Sequence, residues 1–246
     1  LYDGQNRLTR VTQQEGNYTQ YTYDARGNVT ETRQVAKSGS GLSDIVTTAS
    51  YESTCSDPQT CNRPNSTTDA RGYRTDYTYD ATHGGVLTVT SPAPSGSAPV
   101  GSGTRPQTRY TYSQLYAYYR QASSPSTPIQ APSAVYRLTG TSACATTSSC
   151  ANGADETVAL ISYDTTGSLD NVLPTEVTVR AGNSAVSATY ESTYDQIGNV
   201  TESDGPLTGD VTKFVYDDAR RRLGFIGPDP DAGGSLLNRA FRYNYD

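Results

Sequence analysis

Apolar and polar positions alternate in short bursts along this chain, and small turn-forming residues separate the bursts. Gln20-Tyr21-Thr22-Tyr23 places an aromatic ring at every second position, which is the period of a half-buried strand. Asn28-Val29-Thr30-Glu31-Thr32 takes up the alternation again. The residues between have turn chemistry. Asp24 can accept a backbone N–H two residues on, as Asp does when it opens a turn. Ala25 and Arg26 fit the central positions of a type I turn. Gly27 supplies the positive φ of the bulge that follows such a turn in a hairpin loop. The pattern predicts strand, short turn, strand.

The unit recurs. Tyr23-Asp24-Ala25-Arg26-Gly27-Asn28-Val29-Thr30-Glu31 and Tyr194-Asp195-Gln196-Ile197-Gly198-Asn199-Val200-Thr201-Glu202 agree at seven of nine positions. Looser copies begin at Tyr2-Asp3, Tyr79-Asp80, Tyr163-Asp164 (with Gly167 at the corner) and Tyr216-Asp217, and Tyr245-Asp246 begins another. Tyr51-Glu52-Ser53-Thr54 echoes Tyr190-Glu191-Ser192-Thr193. Variants keep the turn logic. Asn6 stands in for Gly27 and tolerates the same backbone region. Asp80 to Gly85 has one residue more, and Asp69-Ala70-Arg71-Gly72 follows Thr68 where the other units have Tyr. At Asp217 the glycine is missing. Arg109 to Gln114 keeps the strand and loses the Asp. The repeat predicts an all-β fold of tandem antiparallel hairpins, roughly eight to ten of them at ordinary hairpin loop lengths.

Composition narrows the classes. Only 34% of the 246 residues are apolar, and Tyr (20) far outnumbers Phe (3) and Trp (0). A fold that buries ring bodies while hydroxyls reach backbone or water would use Tyr in this way. The net charge is −6 and the longest basic run is Arg220-Arg221-Arg222, so no nucleic-acid surface is expected. There is no apolar stretch of membrane-spanning length and no signal peptide. The chain has no Met, and both ends fall inside a unit. These features suggest a piece of a longer polypeptide, with any targeting signal outside it. Residues 1–246 are expected to form one repeat domain, with Pro/Gly/Ser-rich loop excursions at about 91–107 and 122–134.

Cys55 and Cys61, and again Cys144 and Cys150, are separated by five residues. Zinc sites prefer two to four residues between paired ligands. Local disulfides are the simpler expectation, and they imply an oxidising compartment. Candidate chemistry is otherwise sparse. His83 is the only histidine and falls in a turn, where an exposed, turn-stabilising role is expected. The conspicuous Asp residues recur at turn positions. No phosphate-cradling loop or calcium-loop spacing is present. No catalytic residue, metal site or cofactor is expected.

The motif Tyr23-Asp24-x-x-Gly27-Asn28-Val29-Thr30, with its near-copy at 194–201, resembles the bacterial rearrangement hot-spot (RHS) or YD-repeat family. The resemblance implies a long curved sheet that spirals into part of a shell or barrel. It also implies a secreted or cell-surface protein whose shell encloses or presents a C-terminal toxin. The implied partners are adjacent repeats of the parent chain and that effector, with self-association through open sheet edges. The family's self-cleaving shell terminus has no clear counterpart; Gly227 to Asp231 reads as a loop between repeats. A carbohydrate- or protein-binding adhesion module is the alternative expectation, and a glycan-processing enzyme using carboxylate pairs is a weaker one.

Overall fold

The computed structural model describes residues 1–93, 103–122, 124–164, 172–219, 221–227 and 240–245, with backbone alone at 124, 125, 225 and 226. The described residues contain sixteen strands and no helix. They group into two compact units. One unit is Leu1–Arg109 with Ala143–Ser149. It holds β1 (Arg10–Thr12), β2 (Tyr18–Tyr23), β3 (Val29–Val35), β4 (Ile45–Ser50), β5 (Ser66–Thr68), β6 (Arg74–Tyr79) and β7 (Val86–Thr90). It also holds the start of β8 (Gln107–Gln121) and the end of β9 (Ser124–Cys144). The other unit is Tyr110–Ser142 with Cys150–Asp246. Besides the rest of β8 and β9, it holds β10 (Glu156–Tyr163), β11 (Pro174–Ala181), β12 (Ser187–Tyr194) and β13 (Val200–Asp204). It ends with β14 (Thr212–Tyr216), β15 (Arg222–Ile226) and β16 (Ala240–Arg242). The strands lie in the sheet in sequence order, β1 through β16. This is the architecture of tandem antiparallel hairpins.

The register explains why each unit begins at its tyrosine. In β2–β3, Tyr21 faces Thr32 and Thr22 faces Glu31, and then the register slips so that Tyr23 faces Val29. The same bulge falls at Tyr79, Tyr163, Tyr194 and Tyr216. One extra residue on the return side lets a short turn close against a strongly twisted pair.

Little is buried. Among the described residues the buried hydrophobic side chains are Cys61, Cys144 and Val158. Apolar rows do cross the strands, as in Ile161–Val177–Tyr190 and Ala159–Val179–Ala188. Yet Val179 and Tyr190 stay exposed. Cross-strand pairs contribute about 0.2–1 kcal/mol each, so cohesion rests on ladders, pairs and turns.

The excursion at 122–134, expected as a loop or edge segment, is strand from Ser124 onward: β9 includes Pro125, Pro128 and Pro132. β10 meets β9 near Leu138, whose carbonyl accepts from Tyr163 at 2.9 Å. It also meets β9 at Ser142, which donates to Glu156. The other neighbour of β9 in the sheet is β8. Of the first excursion, Ser91–Ala93 and Gly103–Pro106 lie outside strands and Gln107 opens β8, while 94–102 lie outside the described residues. The turn at Gly167 and most of the segment Gly227–Asp231 also lie outside them.

Candidate functional site

The Asp turn is the recurring constellation. Asp24 Oδ1 accepts the N–H groups of Arg26 and Asn28, both at 2.9 Å, and Oδ2 accepts Asn28 Nδ2 at 2.8 Å. Gly27 N–H returns to the Asp24 carbonyl at 3.1 Å, and Asp24 N–H reaches the Asn28 carbonyl at 2.9 Å. Gly27 takes φ +92°. Asp195 repeats the arrangement with Ile197, Asn199 and Gly198. Asp3 does so with Gln5 and Arg7, and Asn6 takes the corner at φ 60°. Asp69 holds Arg71 and Tyr73, with Gly72 at φ +85°. Asp80 closes the longer turn through Thr82 and His83. Asp217 binds Arg221 without a glycine, and Arg220 at that corner lies outside the described residues.

These contacts set the acidity of the carboxyls. Backbone N–H donation holds Asp3, Asp69, Asp80 and Asp217 below the ordinary carboxyl range. For Asp24 and Asp195 burial pushes upward, but the Asn28 or Asn199 side chain and the backbone donors outweigh it, and the net shift is downward.

The sequence predicted tyrosine hydroxyls in reach of backbone or water but not which backbone they reach. Tyr23 Oη donates to the Leu8 carbonyl at 2.6 Å, Tyr51 to Val29 at 3.2 Å and Tyr79 to Pro64 at 2.9 Å. Tyr163 donates to Leu138 at 2.9 Å, Tyr194 to Pro174 at 2.7 Å and Tyr245 to Arg222 at 2.6 Å. Each unit is thereby stapled to backbone that precedes it. Burial pushes the phenols of Tyr51, Tyr79 and Tyr163 up, which keeps them in the donor form. Guanidinium groups cover several of the rings: Arg7 over Tyr23 at 4.7 Å and Arg221 over Tyr245 at 4.6 Å. Tyr51 staples while Tyr190 is exposed within β12, so their shared sequence marks different positions. The excess of Tyr over Phe was the signal. Tyr194→Phe is expected to cost about 1 kcal/mol, the net worth of one hydrogen bond; chemical denaturation measures it, and an unchanged midpoint would refute the staple.

Arginines hold the cysteine loops. Cys55 and Cys61 are disulfide-bonded, and so are Cys144 and Cys150. Arg26 donates to the Glu52, Ser53 and Cys61 carbonyls and to Asn62. Arg109 donates to Cys144 Sγ at 3.7 Å and to the Ser148 carbonyl. Buried Glu156 accepts from Ser142 and from Asn152 N–H, and a side chain on neighbouring Gly182 would collide with it.

His83 departs from expectation. Its side chain is only 12% exposed, because Nδ1 accepts the Gly85 N–H at 3.1 Å and Nε2 lies 3.4 Å from Asp80. Its role in the turn is as expected. Asp204 sits beside Asp210. Burial first, then the Asp210 carboxyl, raise its pKa. Asp210 in turn accepts Gly205 and Leu207 N–H groups, which makes it a loop cap. No group of three or more metal-ligating side chains occurs among the described residues, and these residues form no helix long and apolar enough to cross a membrane.

Residues 2–38, which span the Asp3 and Asp24 turns, match the family model described as RHS Repeat. This segment is similar to an RHS repeat. The same turn geometry recurs beyond the matched segment, at Asp69, Asp80, Asp195 and Asp217. No curated protein matches the chain in sequence. Among solved structures it is similar to TcdB2-TccC3-TEV, at 12% identity and TM-score 0.37, over 100% of this chain and 14% of that one. It is similar to TcdB2-TccC3 without its hypervariable C-terminal region, at 12% identity and TM-score 0.35, over 99% and 14%. It is also similar to a porin-like protein from Bacteroides uniformis ATCC 8492, at 12% identity and TM-score 0.38, over 94% and 92%. The chain thus spans about a seventh of the TcdB2-TccC3 chains it matches.

Proposed function

We propose that the chain is a non-catalytic wall segment of a longer, exported RHS polypeptide, contributing to a β-shell that encloses or presents a C-terminal effector. One observation carries this reading: successive units are joined by tyrosine hydroxyls donated to preceding backbone, with very little buried core. Such a strip gains order by adding units, as repeat proteins do. Exposed Val179 and Tyr190 would be covered in a closed wall. The edge strands β1 and β16 would pair with further repeats in the parent and would drive self-association of the isolated chain. Two disulfides suit an oxidising compartment.

Protease protection of the effector segment in the intact parent tests the proposal. Resistance is expected in the wild type. Faster cleavage is expected when Tyr163→Phe and Tyr194→Phe are combined within this wall. Full accessibility of the effector in the wild type would sink the enclosure reading.

A second reading, an adhesion module that binds carbohydrate or protein, is favoured by one observation: Tyr116, Tyr119 and Tyr190 are exposed.

A further inference from the structure

The β8–β9 hairpin carries side chains that the repeat does not explain. Its strands have 15 and 21 residues, whereas the other strands have three to eight. Within Tyr110–Ser142 the only charged residues are Arg120 and Arg137, and residues 81–154 contain no Asp or Glu in a chain of net charge −6. Strand alternation puts Tyr112, Gln114, Tyr116, Tyr118 and Arg120 on one face of β8. Two contacts bring β9 to the same face: Gln114 Nε2 donates to Tyr136 Oη at 2.6 Å, and Tyr118 Oη donates to Gln130 Oε1 at 3.3 Å. Arg120 is tethered by donating to Gln196 at 2.8 Å. Tyr116 is 40% exposed.

We propose that this face binds an acidic polysaccharide, a chain of uronic-acid sugars. The proposal rests on the second reading above and gives it a place. Rings two residues apart on a strand repeat at roughly 7 Å and form a row for an extended ligand. Ring faces suit the C–H faces of sugars, and the Gln and Tyr polar groups suit their hydroxyls. An apolar protein partner would call for aliphatic side chains, and these are absent from the row. The sign of the charge points to an acid: Arg120 is the charged residue on this face of β8 and can pair with a carboxylate in two-pronged geometry.

The test titrates polygalacturonate and neutral dextran into the intact chain, wild type and the variants Tyr116→Ala and Arg120→Gln. Equal thermal melts establish that the variants are folded. Polygalacturonate is expected to bind and to weaken with salt. It should bind about tenfold more weakly to Tyr116→Ala and lose much of its salt dependence in Arg120→Gln. A variant-free measurement runs beside it: polygalacturonate should slow nitration of Tyr116, read by peptide mapping. Binding unaltered by both variants, with Tyr116 unprotected, overturns the site and leaves the second reading standing. Dextran binding of equal strength overturns the acidic class. No binding of either polymer, with silence across a glycan array, overturns the glycan reading and the site with it.

Discussion

Acidification is expected to destabilise this chain as the pH falls below the ordinary Asp value of 3.8. Six turn aspartates, at 3, 24, 69, 80, 195 and 217, have pKa values lowered in the folded state. A group with a depressed folded pKa contributes stability above its unfolded value and loses it as pH falls through the folded value. Each turn is exposed and screened, so each contribution is small, but all six act in the same direction. The melting temperature should fall between pH 5 and pH 2, as circular dichroism at fixed ionic strength would show. Asp24→Asn with Asp195→Asn should flatten the curve. Asp204 works in the opposite sense: its folded pKa is raised, so stability rises slightly as pH falls through it, and Asp204→Asn should remove that rise. A melting temperature flat from pH 5 to pH 2 would refute the carboxylate account of the turns.

Reduction should produce the second large effect. The Cys55–Cys61 bridge closes a loop with sequence separation 6, and a loop of that size stabilises by about 2 kcal/mol on the chain-entropy model. Both bridges together should contribute about 4 kcal/mol, observed as a lower melting temperature in a phosphine reductant. Four thiols alkylatable before reduction would sink the idea. Arg26 holds the same loop through three carbonyls. Arg26→Ala and removal of the bridge should therefore combine non-additively, as changes at neighbouring groups do.

The hairpin unit was legible because its physics is local. Tyr23, Asp24, Gly27 and Asn28 lie within six residues, and turn chemistry depends on little else. Asn6 could be placed at the corner for the same reason. The tyrosine staples could not be located, because the acceptor is a backbone carbonyl 15 to 25 residues away and leaves no mark in sequence. Arg26 was read as a turn filler, since nothing nearby discloses that its guanidinium reaches the loop at Cys61. The prolines of β9 left loop and edge segment undecided, because proline weakens a strand without excluding one at an edge. His83 was taken as exposed because a turn position says nothing about the Gly85 N–H that draws the ring in.

The staples have a consequence for how such chains change over time. The donor is encoded in one residue, the tyrosine, while the acceptor is main chain, offered by Leu8, Val29, Pro64, Leu138, Pro174 or Arg222 alike. A joint whose receiving half imposes no side-chain requirement survives substitution, duplication and reshuffling of the unit that supplies it. Neighbouring hairpins need not coevolve to stay attached, so one chain can drift widely in sequence, or gain and lose units, while the strip persists.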